Sequence, residues 1–269
     1  EVNPQFSSTR YNTLQYALGG FLATELIANQ DAVLNLQMRL ARMCMDIMLL
    51  NRELRAEAVM FATANYTGTH LVDLSGSPTT LKWNGGTASD PVANINSIQE
   101  AALLPITDML MALPTWNAFT RNPAVQKYTG YKQAVQGIPT MDQVQAFCSF
   151  LNLPRIHIAQ GKAKDSTGAY PYIWANDVVL FHRPAVDLPV DGMDTCTAKT
   201  FRWNGGENMP DVAVPIGVNG AQIPGGFAVR AFYNPYRGPR GGYQVVVTHN
   251  DAEQFITQLV SGLIKGAYA

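Results

Sequence analysis

The sequence predicts a mixed α+β fold, and two kinds of apolar spacing support that prediction. Between residues 31 and 62, apolar residues recur every three or four positions, which is the period of an amphipathic helix. Elsewhere, short apolar runs bounded by Gly and Pro are typical of β-strands. Because both patterns occur along one chain, the expected class is α+β.

The first 30 residues form a segment of their own. They alternate loosely around the flexible pair Gly19 and Gly20, carry almost no charge and lack a helical period. This pattern predicts an extended arm or hairpin that is too thin to own a core. Its large apolar side chains would need a neighbouring chain to bury them. They are Phe6, Tyr11, Tyr16, Leu18 and Phe21.

The segment 31–62 is predicted to be one continuous helix with Asp31 as its N-cap, about 48 Å long at 1.5 Å per residue. One apolar stripe consists of Val33, Leu36, Leu40, Met43, Ile47, Leu50, Leu54, Ala58 and Phe61. A second stripe widens the apolar face and consists of Leu34, Met38, Ala41, Met45 and Met48. We expect the first stripe to pack on a sheet, so that Leu40→Ala or Ile47→Ala costs about 2–5 kcal/mol.

The later elements are predicted from their start signals and apolar runs. Asp90 followed by Pro91 is a helix start, and Pro114 leads a second helix. A third helix is expected over 140–151, beginning at a capping pair. Strands are expected at 109–113, 155–159, 172–174, 178–182 and 243–248, and the last apolar segment, 255–268, favours a strand over a helix.

Composition and charge argue against several function classes. Charged residues make up 14% of the chain, against roughly 25% in an ordinary soluble domain, so we expect partners to cover much of the surface. The net charge is −1, so no global basic field indicates nucleic-acid binding. No apolar run approaches the roughly 18 residues of a membrane span, and no membrane partner is expected.

The residue types that carry catalysis or bind metals are scattered. The histidines show no metal-ligand spacing, and neither a phosphate-binding glycine loop nor a nucleophile elbow occurs. We therefore expect no metal, no cofactor and no enzymatic activity. Cys44, Cys148 and Cys196 are expected to be buried, reduced thiols. A dyad of Cys148 with a distant histidine is the alternative, and it would make the chain a soluble hydrolase.

One local basic cluster contains Arg237 and Arg240 and is flanked by tyrosines. Its expected role is a solvated or intersubunit loop. The alternative is a single-strand nucleic-acid contact, in which bases stack on the tyrosine rings.

Several short phrases follow one another in an order that is similar to one protein family. They are NRELR at 51–55, SDPV at 89–92 behind Trp83, PTW at 114–116 with RNP at 121–123, IWANDVVL at 173–180, RGG at 240–242 and VVV at 245–247. The family carries the comparable phrases "W..L..NP" and "WGDDVVL". The chain thereby resembles the major capsid proteins of tailed bacteriophages, with the Hong Kong 97-type fold, and particularly the Mu-like and related branches.

The resemblance implies a domain plan. Residues 1–30 would be the N-terminal arm and extended loop, and 31–93 the peripheral domain with its long spine helix. Residues 94–205 would be the axial domain, and 206–269 would return through the β region of the peripheral domain.

The resemblance also implies a function. The chain would be a structural major capsid (coat) protein that self-assembles, through hexamers and pentamers, into the icosahedral head around double-stranded DNA. Implied partners are the portal, scaffold or cement proteins, and the packaged DNA through weak non-specific contact. The protein would be assembled in the host bacterial cytoplasm and end in the virion. An encapsulin-type nanocompartment, which shares the fold and encloses protein cargo, is the alternative.

Eight residues are the candidates for assembly contacts. They are Phe6, Tyr11, Tyr16, Phe21, Arg52, Arg55, Arg237 and Arg240.

Overall fold

The computed structural model describes residues 12–29, 35–129, 149, 154–184, 195–202 and 227–269. The chain divides into two compact units, and it enters each of them twice. The first unit combines Glu1–Arg52 with Thr200–Gln254, and the second combines Glu53–Lys199 with Phe255–Ala269. The domain boundaries at 30, 93 and 205, and the names peripheral and axial, stay predictions.

Helices and strands both occur in this part of the chain, which confirms the predicted α+β class. The helices are α1 (Thr24–Ala28), α2 (Leu36–Met60), α3 (Pro91–Ala101), α4 (Leu113–Arg121) and α5 (Pro123–Thr129). The strands are β1 (Leu14–Ala23), β2 (Leu71–Asp73), β3 (Asp108–Ala112), β4 (Arg155–Ala159), β5 (Val178–Phe181), β6 (Ala198–Arg202), β7 (Ala228–Asn234), β8 (Gly242–Phe255) and β9 (Ser261–Lys265).

The sheet of the first unit is organised around β8. On one side β1 runs antiparallel to β8 over its whole length, with Leu14 opposite Asp251 and Ala23 opposite Gly242. On the other side lie β6 and β7. One face of β8 carries Val245 and Val247, which are fully buried in the core of this unit.

Residues 14–23 therefore belong to a sheet of the subunit itself, and the expected arm without a core is wrong for them. Tyr16 and Leu18 pack against the core of the first unit. Gly20 leaves space for the side chain of Leu40 on α2, because a Cβ at this position would lie only 2.7 Å from Cδ1 of Leu40. The arm was expected because the strand that pairs with β1 lies near the other end of the sequence. Phe6 and Tyr11 lie outside the described residues.

Helix α2 is shorter than predicted. It begins at Leu36, where the Asn35 side chain accepts a hydrogen bond from the backbone N–H of Met38 at 3.0 Å, and it ends at Met60. An Asn side chain in this position satisfies a backbone donor that the first turn leaves free. A continuous helix over 31–62 is therefore wrong at both ends. Asp31, the predicted N-cap, lies outside the described residues.

The face of α2 that packs on the sheet is only in part the expected one: Leu40 of the first stripe packs against the core of this unit. Ala41, Cys44 and Met48 are buried, whereas Met43 and Ile47 of the first stripe are exposed by 54% and 43%. Both stripes have helical spacing, so the period alone does not distinguish them. The face that packs on the sheet combines Leu40 of the first stripe with Ala41 and Met48 of the second.

The second unit contains a five-stranded mixed sheet in the order β2-β9-β5-β3-β4. One face packs against α3 and α4, where Ile95, Ile98, Trp116 and Phe119 are fully or almost fully buried. The other face packs against Tyr66 and the residues that end α2. Strand residues alternate between the two cores, as the period of two requires.

Several predicted elements of the second unit are confirmed. Asp90 caps α3, because its Oδ1 accepts a hydrogen bond from the Ala93 backbone N–H at 3.1 Å. The strands predicted at 109–113, 155–159, 178–182 and within 255–268 correspond to β3, β4, β5 and β9. In the first unit, the strand predicted at 243–248 lies within β8.

Two other predicted elements did not appear as expected. The strand predicted at 172–174 is only a single bridge between Lys162 and Tyr172, because the chain turns there to form a short hairpin. The helix predicted over 140–151 lies outside the described residues, apart from Ser149.

Adjacent residues of α2 test its orientation. Met48 is 3% exposed, so we expect Met48→Ala to lower the free energy of unfolding of the unassembled subunit by about 2–5 kcal/mol. Ile47→Ala should change it by less than about 1 kcal/mol, because that side chain remains in water. Urea denaturation measures both values, and a larger loss for Ile47→Ala would contradict the packing described here.

Candidate assembly surfaces

Among the described residues, the turn between β7 and β8 carries an almost fully exposed aromatic ring. Tyr236 is 96% exposed, yet its backbone N–H donates to Oδ1 of Asn234 at 3.0 Å. The Tyr233 hydroxyl donates to the Arg240 carbonyl at 2.9 Å. Gly241 has a φ of +72°, and a Cβ there would collide with the Tyr233 hydroxyl. A ring on a well-held turn loses little conformational freedom when it binds a partner.

Two arginines of this turn contact the end of β1 and the start of α1. The guanidinium carbon of Arg237 lies 4.9 Å from the centroid of the Phe21 ring, and Nε of Arg240 lies 3.5 Å from Oε1 of Glu25. The structure thus brings three predicted contact residues together. We call residues 234–241 with Phe21 the hairpin tip. The exposed pair of Arg240 and Glu25 adds little to stability, so both charges remain available to a partner.

Two other predicted contact residues lie at the opposite end of β8. The Tyr16 ring stacks on the buried imidazole of His249, with centroids 5.2 Å apart. Nε of Arg52 lies 3.6 Å from Oδ2 of Asp251 and 3.8 Å from Oε1 of Glu253. These contacts engage both residues inside the first unit. Arg55 is half-buried on α2 in the second unit, and Phe6 and Tyr11 lie outside the described residues.

Exposed apolar side chains form further surfaces that the sequence did not indicate. In the first unit they include Met43 and Ile47, which lie one turn apart on α2. In the second unit, Leu103 and Leu259 are both exposed, and the Leu103 backbone N–H donates to the Leu259 carbonyl at 2.7 Å. Apolar groups that adjoin one another at a surface mark sites of interaction. The second patch joins residues far apart in the chain, so no local pattern could have revealed it.

The second unit also holds a group of carboxylates near the end of β9. Oε1 of Glu53 accepts a hydrogen bond from the Trp174 indole at 2.8 Å. Burial, and secondarily repulsion from Asp177, raises the pKa of Glu57. Burial also raises the pKa of Asp177, opposed by a hydrogen bond from the backbone N–H of Gly266. The carboxyls of Glu57 and Asp177 therefore favour the protonated form more than free ones do.

The described pair of His157 and Asp108 does not activate the hydroxyl beside it. Nε2 of His157 lies 2.6 Å from Oδ1 of Asp108, but the neighbouring Thr107 hydroxyl donates to Asp108 and not to the imidazole. Cys44 and Cys196 are buried, and burial raises the pKa of the Cys44 thiol, which makes it unreactive. Cys148 lies outside the described residues.

No group of three or more metal-ligating side chains occurs within the part of the chain that the structure describes. None of the helices described there is long and apolar enough to cross a membrane.

No protein-family model and no curated protein matches the chain by sequence. By structure, the chain is similar to a phage-related protein of Bordetella bronchiseptica RB50, with a TM-score of 0.71 and 16% identity over 97% of this chain and 78% of that one. It is also similar to the capsid of cyanophage P-SCSP1u, with a TM-score of 0.55 and 9% identity over 99% and 78% of the two chains. The chain is similar as well to the holo-SrpI encapsulin complex of Synechococcus elongatus PCC 7942. The TM-score is 0.54, and the identity is 11% over 94% of this chain and 74% of that one.

These likenesses define the fold. The chain has the fold that a phage capsid and an encapsulin shell share, and the match extends over almost all of its length. The predicted phage-capsid fold is thereby confirmed. Identities this low show the fold alone, so the role of the chain is a separate question.

The carboxylate group makes stability depend on pH. Because the pKa values of Glu57 and Asp177 are raised, their stabilising contribution is complete below the ordinary carboxyl pKa and is lost as the pH rises through the raised values. Glu57→Gln should therefore match the natural chain below about pH 4 and be more stable, by less than about 1 kcal/mol, near pH 7. Thermal unfolding at both pH values measures this. Glu100→Gln, at an exposed position on α3, is the control, and a loss of stability only in Glu57→Gln at pH 7 would contradict the assignment.

Proposed function

We propose that this chain is the major capsid protein of a tailed bacteriophage. It is a structural subunit that self-assembles through hexamers and pentamers into the icosahedral head around double-stranded DNA. The observation that best supports this role is the similarity to a phage-related protein over 97% of the chain, together with a phage capsid of the same fold. The proposed partners are the portal, scaffold or cement proteins and the enclosed DNA. The proposed site of assembly is the host bacterial cytoplasm, and the final location is the virion.

The hairpin tip is the proposed contact surface. Tyrosine and arginine are the residue types that most often dominate binding energy, and Tyr236, Arg237 and Arg240 stand together there. An aromatic ring buries 150–250 Å², which at about 25 cal/mol per Å² contributes a few kcal/mol before ordering costs. A contact between two different surfaces of one chain generates a closed ring when its rotation closes on itself. Phe6 and Tyr11 remain proposed contacts of the N-terminal segment.

The encapsulin-type compartment is the second candidate, and the similarity to the Synechococcus encapsulin favours it specifically. Both roles require a closed shell, so the contents distinguish them. A head encloses DNA that resists nuclease, whereas a compartment encloses protein cargo.

Assembly itself is the first test. We expect the purified chain, at increasing concentration, to form closed shells that negative-stain imaging and light scattering detect. A chain that stays monomeric at every concentration, also with its scaffold or cement partners, would rule out both roles. Particles from infected or induced cells should contain nuclease-resistant DNA, and particles with only protein inside would favour the compartment.

The hairpin tip is tested by Tyr236→Ala. We expect this change to leave the unfolding of the subunit unaffected, because the ring lies in water, and to raise the concentration required for assembly by about tenfold for each 1.4 kcal/mol of lost contact. Tyr170→Ala, at an exposed tyrosine on a hairpin of the second unit, is the matched control. Equal assembly by the two variants would show that the hairpin tip is not a contact.

A further inference from the structure

One end of the sheet in the second unit gathers cations that are far apart in the sequence. Asp108, the first residue of β3, lies opposite Arg155 on β4 and opposite Phe181 on β5. Two residues beyond β5 comes Arg183, and His157 follows on the same face of β4 as Arg155. We call Arg155 and Arg183 the basic sheet end.

The backbones of both arginines are hydrogen-bonded to the same residue, Thr107. The backbone N–H of Arg155 donates to the carbonyl of Thr107 at 2.8 Å. The backbone N–H of Arg183 donates to the hydroxyl of the same Thr107, also at 2.8 Å. Because β4 and β5 flank β3, their backbones are about 10 Å apart. Phosphates follow one another by roughly 3.4 Å along the axis of one DNA strand, so two arginines on backbones this close can reach the same stretch of strand.

The cations at this end lack compensating charge within the described residues. The carboxylate there is Asp108, which is 5% exposed and already bonded to the Thr107 hydroxyl at 2.7 Å and to His157 at 2.6 Å. Neither guanidinium forms an ion pair with a carboxylate of the part of the chain that the structure describes. The chain as a whole has a net charge of −1, so this excess is local.

We propose that the basic sheet end binds the phosphate backbone of nucleic acid. The inference rests on the proposed function, since only a DNA-containing head supplies this ligand inside. A planar guanidinium matches the oxygens of a phosphate, and two guanidiniums carried by neighbouring backbones can bind phosphates without reading sequence. This surface is distinct from the hairpin tip, which lies in the other unit.

The test compares two double variants of the full chain. Arg155→Gln with Arg183→Gln removes both cations of the basic sheet end. Lys162→Gln with Lys164→Gln removes the same charge from the hairpin that follows the opposite end of β4. Binding of a labelled DNA duplex is measured by fluorescence anisotropy over a range of salt concentrations. Shell formation by each variant is scored separately by light scattering.

We expect the arginine variant to lose affinity for duplex DNA and the slope of log affinity against log salt to fall by about 2, while the lysine variant keeps both. Equal losses in the two variants would show an effect of net charge alone and overturn the site. Unchanged binding by the arginine variant would also overturn it, including the case in which Asp187, Asp191 or Asp194 neutralises the arginines.

Two further outcomes separate this inference from the proposed function. If the arginine variant binds DNA normally but no longer assembles, the cations contact an acidic surface of a second copy, and the proposed site is wrong. If the natural chain binds DNA through the arginines but forms no shell, the site stands and the capsid role fails. If the double variant does not fold, Arg183→Gln alone replaces it, because Arg183 lies outside the described strands.

Discussion

The pairing of β8 is the constraint on which the rest of the structure depends. This strand lies between β1 on one side and β6 and β7 on the other, and after a short connection the chain continues as β9, between β2 and β5 of the second sheet. One segment of the chain therefore supplies an inner strand to both sheets. A register shift of one residue in β8 would turn Val245 and Val247 away from their core. Because its partners come from distant parts of the sequence, we expect folding to be slow relative to a helical protein of this size.

The same register explains why one face of β8 changes character along its length. Its buried residues are Val245 and Val247 first, and then His249 and Asp251. The face of α2 that packs on β8 changes in the same way. It carries the apolar Met48 and, one turn later, the charged Arg52. Arg52 therefore meets carboxylates where the preceding turns meet valines. The charged tract of α2 thus partly continues the packed face of the first unit. Only its outward side is available to other subunits.

Sequence patterns predicted local features well and distant pairings poorly. The cap at Asp90 and the strands β3 and β4 follow from signals within a few residues. The partner of β1 could not be found this way, so a sheet strand looked like an arm. The choice between Ile47 and Met48 on α2 depends on the sheet, which the helical period does not contain. At the candidate sites, Arg237 and Arg240 are near neighbours in the sequence and were found. Arg155 and Arg183 meet only through Thr107 and were missed.

A shell subunit must keep surfaces that are stable in water before assembly and dry after it. The hairpin tip meets this requirement, because backbone hydrogen bonds hold its shape while the Tyr236 ring stays exposed. The most direct test of the account is a near-atomic image reconstruction of particles assembled from this chain. The account predicts a closed shell in which the Tyr236 ring is buried against a neighbouring subunit. A shell in which that ring still faces solvent on every subunit, or the absence of any shell, would contradict it.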